Sequence, residues 1–73
     1  MDAKQYRLML YLLSTMVIDE LMTDFGYSFE KAVNDFYQSS TYKLLEDKKT
    51  DYWLFSPKII VRDFLEATHG SHK

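Results

Sequence analysis

Between Lys4 and Phe25 the sequence reads as one long helix that is apolar on more than one side. No Gly or Pro interrupts it, and Leu8, Met9, Leu10, Tyr11, Leu12 and Leu13 follow one another without a polar break. A surface helix needs only one apolar stripe, at i, i+3, i+4 and i+7. Leu10, Leu13, Val17, Leu21 and Phe25 supply that stripe, whereas Leu8, Tyr11, Ile18 and Met22 turn to a different side. One face can be covered by the rest of the chain. The other needs a partner, because contiguous exposed apolar patches mark interaction sites. Leu8, Tyr11, Leu12, Ile18 and Met22 are therefore the expected self-association surface.

Chain length points the same way. A chain of 73 residues is expected to make one domain, residues 1–73, and chains of about this size bury only roughly 60% of their unfolded surface. A core that small rarely contributes more than about 3–5 kcal/mol net, so a further staple is common. Disulfides are excluded by the absence of cysteine, and no Cys/His cluster offers a structural zinc site. Oligomerisation remains, and a homodimer is the expected state.

The hydrophobic share of 47% argues against a disordered chain. A formal charge of −2 argues against nucleic acid as the main partner, since phosphate neutralisation shows as a basic surplus. Leu8–Leu13 follows Lys4 and Arg7 as a signal peptide would, yet no small-residue cleavage site comes after it, and Asp19, Glu20 and Asp24 continue the helical pattern. The apolar run also stops short of the ~20 residues that span a bilayer. A soluble cytoplasmic protein, not associated with a membrane, is the expectation.

Punctuation divides the rest of the chain into helices. Gly26 stands where a left-handed C-terminal cap is wanted. Ser28 reads as an N-cap with Glu30 in the first turn, and a second helix follows from Phe29 to about Gln38, with Phe29, Ala32, Val33, Phe36 and Tyr37 on its apolar face. Ser39, Ser40 and Thr41 form a second break. One of the serines caps a short third helix through Tyr42, Leu44 and Leu45 that ends near Asp47. After the polar turn Lys48, Lys49 and Thr50, the aromatic content of residues 51–55 favours an extended segment. Ser56-Pro57 is the sharpest local signal: a capping serine, then proline at the first helical position. A fourth helix runs from there to about Thr68, with Ile60, Val61, Phe64, Leu65 and Ala67 inward. The expected fold is an all-α bundle of about four helices with an extended aromatic segment before the last, and a frayed tail from residue 69.

Residues with reactive chemistry form no recognisable motif. Glu20 and Asp24 lie on one helix face, where they repel, and with Asp19 they read as a solvated helix end; general acid–base work needs a pocket that separates two carboxylate pKa values. His69 and His72 flank a glycine near the chain end without a third metal ligand. Neither has a nucleophile partner. The two glycines make no phosphate-cradling pattern. No enzyme activity, cofactor or metal is expected.

Four binding readings stay open beside self-association. Tyr52, Trp53 and Phe55 are expected either to close the core, Trp53 above all, or to contact a second protein, since binding energy concentrates on Trp and Tyr anchors. With Lys48 and Lys49 before them they also have the composition of a base-stacking platform. The second and third helices admit a DNA-binding helix-turn-helix opened by Thr41 and Lys43, although Phe36 and Tyr37 sit where that turn carries small residues. Met9, Met16 and Met22 with the tyrosines admit an adaptable small-ligand pocket.

From Gly26 to Pro57 the order is more specific than composition. Gly26-Tyr27-Ser28-Phe29-Glu30-Lys31-Ala32, Ser40-Thr41-Tyr42-Lys43-Leu44-Leu45, Asp47 to Thr50, and Trp53 to Ser56-Pro57 together resemble a group of small uncharacterised bacterial proteins. Those proteins combine a long apolar helix, a capped helix, a turn-helix of the "TYxLL" kind and a final helix. Some are encoded near toxin-like partners. The resemblance implies the all-helical fold and an antitoxin-like or accessory role; it rests on packing and capping residues, and implies no site residue.

Overall fold

Each helix starts where a short polar side chain can satisfy its unpaired backbone N–H groups. In a computed structural model that describes residues 2–70, with Trp53, His69 and Gly70 described by backbone alone, α1 spans Ala3–Phe25. The Asp2 carboxylate accepts from the Gln5 N–H at 2.8 Å, and the Gln5 side chain accepts from the Asp2 N–H at 3.3 Å. This reciprocal box starts the helix at Ala3 rather than Lys4. Gly26 ends it at φ 72°, in the left-handed region, and the Tyr27 N–H reaches back to the Leu21 carbonyl at 3.1 Å. A Cβ at Gly26 would meet no atom within 4 Å; backbone conformation alone asks for glycine there.

Ser28 caps α2 (Phe29–Tyr37), its Oγ accepting from Lys31 N at 3.1 Å. Ser39 joins α2 to α3 (Ser40–Glu46): its hydroxyl donates to the Phe36 carbonyl at 2.6 Å and accepts from Tyr42 N at 3.0 Å. Ser56 caps α4 (Pro57–Leu65), with proline in the first turn. A single wide turn, Glu66–Gly70, follows. Regular helix thus stops before Thr68, and Ala67, expected inward, is exposed. The tail beyond residue 70, with His72, lies outside the described residues, as does the His69 side chain.

The aromatic segment is not extended. Two 3-10 turns, Lys48–Thr50 and Tyr52–Leu54, meet at Asp51, which takes a left-handed conformation at φ 56°. Among the described residues there is no strand for this segment to pair with, and its backbone groups bond locally instead. Leu54 N donates to Asp51 O and Phe55 N to Tyr52 O, each at 3.0 Å. The Thr50 hydroxyl lies 2.7 Å from Leu44 O and 2.9 Å from Asp47 O, and accepts from Tyr52 N at 3.2 Å. Aromatic composition favours strands only where a pleated neighbour exists to pack against.

α1 packs against α2 and α4, and α3 closes on both of those helices. Val17 and Leu21 of α1, Ala32 and Phe36 of α2, Leu45 of α3, and Ile60 and Phe64 of α4 are all fully buried. Phe36 is the hub: its ring meets Tyr42 at 5.5 Å and Phe64 at 5.8 Å, both edge to face, a favoured aromatic geometry. At the other end, the buried Tyr6 hydroxyl donates to the Leu45 carbonyl. That bond clamps the start of α1 to the end of α3. Among the described residues no helix is long and apolar enough to cross a membrane.

Candidate interaction surface

α1 presents two apolar sides, and α2 and α4 cover only one. Leu13, Val17 and Leu21 are buried with Leu10 packed against them, while Leu8, Tyr11, Leu12, Met16 and Met22 remain exposed. From Leu8 to Ile18 the helix carries no charge, so its outward face stays uncharged for three turns. α2 extends this face sideways. Tyr11, Thr15, Ile18, Asp19 and Met22 of α1 and Phe29, Val33 and Tyr37 of α2 line a shallow groove of about 460 Å³. Tyr11 and Phe29 on its two walls are 62% and 61% exposed. Rigid aromatic side chains held open to solvent on two packed helices are the usual anchors of a protein interface.

Four of the five residues expected to mediate self-association lie on this surface. Ile18 instead forms the floor of the groove, buried and part of the core cluster. Its direction falls between the inward stripe and the outward face, and the arrival of α2 on that flank covers it. Phe29 and Tyr37, read from sequence as sharing one apolar face with Ala32 and Phe36, form the α2 wall instead. At 100° per residue, Val33 and Tyr37 turn progressively away from the line through Ala32 and Phe36, and Phe29 begins its helix beyond the edge of the core. The width of α2's apolar set was the available signal. Phe25, assigned to the same stripe as Leu21, is 49% exposed.

The aromatic segment before α4 divides. Tyr52 is buried, and its hydroxyl donates to Asp63 Oδ2 at 2.5 Å. Burial and then this hydrogen bond hold its phenol well above the ordinary tyrosine pKa. Tyr52 is a core residue and no surface anchor. Phe55, whose ring lies 5.1 Å from that of Tyr52, is half-exposed, and Leu54 is more exposed still. The Trp53 side chain lies outside the described residues. With Tyr52 inside, the base-stacking arrangement loses a member, and Lys48 instead lies over the Tyr6 ring at 5.8 Å.

Glu20 leans to Lys58 at 3.7 Å, while Asp19 and Asp24 are solvated. Among the described residues no three His, Cys, Asp or Glu side chains come together as a metal site. The three methionines diverge: Met22 lines the α1–α2 groove, Met16 the α1–α4 groove, and Met9 packs on the core. Thr41, placed by a helix-turn-helix at the opening of a recognition helix, is buried. Family models, curated proteins and solved structures offer no match to the chain. What the arrangement offers chemically is apolar, aromatic contact area on a helical pair.

Proposed function

We propose that this chain is a small protein–protein association module whose first partner is a second copy of itself. One observation carries the reading: the charge-free outward face of α1 continues into the α1–α2 groove, with Tyr11 and Phe29 each more than half exposed. The limited core of so short a chain supports it, since pairing would bury the apolar surface that folding leaves in water. Sedimentation equilibrium over a wide concentration range tests it. A dimer is expected at micromolar concentration, with a melting temperature that rises with concentration. Tyr11→Glu combined with Phe29→Glu is expected to give a folded monomer. A wild-type chain that stays monomeric at high concentration, with the same melting temperature on dilution, overturns the reading.

A bacterial antitoxin-like or accessory role adds a second protein to this scheme. Leu54 and Phe55, exposed in the turn before α4, are among the exposed apolar residues outside α1 and α2 that such a partner would meet, with Leu44 of α3 and Ile59 of α4.

A further inference from the structure

The outward face of α1 has charge only at its two ends, and the two ends differ in sign. Lys4, Leu8, Leu12, Thr15 and Asp19 follow one another at steps of three or four, a line along one side of a helix. All five are exposed. Asp19 lines both the α1–α2 groove and the α1–α4 groove, which places it at the crest between them. Tyr11 stands beside the line on the α2 side and Met16 on the α4 side. Neither Lys4 nor Asp19 makes an ion pair among the described residues; the nearby acid that does is Glu20, with Lys58.

We infer that two copies of this chain pair through antiparallel α1 helices, with Lys4 of each copy against Asp19 of the other. The inference rests on the self-association reading and specifies its geometry. Set antiparallel about a twofold axis between Tyr11 and Leu12, the helices bring Leu8 opposite Thr15 and Tyr11 opposite Leu12, so the apolar stretch meets itself. Lys4 and Asp19, about 22 Å apart along the helix at 1.5 Å per residue, then close both ends of the seam with opposite charges. A parallel, in-register pair stacks Lys4 on Lys4 and Asp19 on Asp19, which is repulsive at both ends. Flanking charge sets orientation in paired helices in this way even where it adds little affinity. On each side of the seam the partner helix runs beside Phe29 and Tyr37, so the groove walls join the contact.

Charge exchange tests the geometry. Lys4→Glu and Asp19→Lys, each at an exposed position, are to be compared with the double variant carrying both, using sedimentation equilibrium for affinity and circular dichroism for folding. Each single variant places like charges at both ends and is expected to dimerise about tenfold more weakly, the scale of several exposed ion-pair changes acting together. The double variant restores both pairs and is expected to dimerise like the wild type, while failing to exchange subunits with it. A monomeric wild type overturns the self-association reading and this inference together. A wild-type dimer that is indifferent to the single substitutions, or a double variant that pairs preferentially with wild type, overturns the antiparallel geometry alone.

Discussion

Tyr52 donates its phenolic hydrogen to the Asp63 carboxylate at 2.5 Å, tying the 3-10 turn before α4 to the helix it introduces. Tyr52 is buried and Asp63 is half-buried, so the bond is charge-assisted and partly shielded from water. It explains why an aromatic segment without a partner strand holds a defined conformation. Asp51 turns the chain and Tyr52 anchors it.

Removing that hydroxyl isolates the contribution of the bond. Tyr52→Phe is expected to cost about 1–2 kcal/mol, near the lower end for a hydrogen bond to a charged group because Asp63 regains some hydration. Alkaline behaviour follows from the raised phenol pKa, caused by burial and then by the Asp63 hydrogen bond. The unfolded chain gives up its tyrosine proton at about pH 10. Stability from this group is therefore complete below that pH and is lost as pH rises toward the folded value. Urea denaturation at a series of pH values checks this: the wild type falls more steeply above pH 10 than Tyr52→Phe. Tyr6 and Tyr42, whose phenols burial also pushes up, keep some slope in the variant.

Ser14 is buried on α1, and its hydroxyl has no hydrogen-bond partner among the described residues. Burying a hydroxyl unpaired is unfavourable, and alanine is the better helix former. Ser14→Ala is expected to stabilise the fold by about 1 kcal/mol, which thermal melting at fixed protein concentration would reveal. A destabilised variant would mean that the oxygen is filling space that a methyl group leaves empty.

Ile18 and Tyr11 lie two turns apart on the same side of α1, yet one is buried and the other exposed, and they should respond oppositely. Ile18→Ala empties part of the core and is expected to cost about 2–5 kcal/mol. Tyr11→Ala, at an exposed site, should leave the folding stability of the monomer within about 0.5 kcal/mol. Chemical denaturation at high dilution reads this difference with association removed. Equal losses would place Tyr11 in the core.

The capping serines are expected to differ in strength. Ser56 accepts from Ile59 N at 3.4 Å in an exposed turn, whereas Ser39 bonds on both sides, at 2.6 and 3.0 Å, in a half-buried one. Ser56→Ala should cost about 0.5–1 kcal/mol and Ser39→Ala about 1–2 kcal/mol, measured as shifts in urea midpoint at unchanged slope. Neither change should alter the oligomeric state.

Helix boundaries were legible in the sequence because they are set locally. Asp2 and Gln5, Ser28, Ser39 and Ser56 each bond a backbone group three residues away, and Gly26 supplies a left-handed residue wherever its helix packs. Asp2 went unread only because the apolar pattern begins later, at Leu8. The excess of apolar residues on α1 was equally plain, since counting faces needs only the helical period. Which of them would stay outside was not. Ile18 went in, and Phe29 and Tyr37 stayed out, through where α2 crosses α1 and how far the core extends. Tyr52 turned inward because Asp63, eleven residues on, offered its hydroxyl an acceptor. Short-range hydrogen bonds and periodicity are properties of neighbouring residues, so the sequence alone determined the helices. Burial is a property of the assembled bundle, and only the tertiary structure decided which apolar surface was left over for a partner.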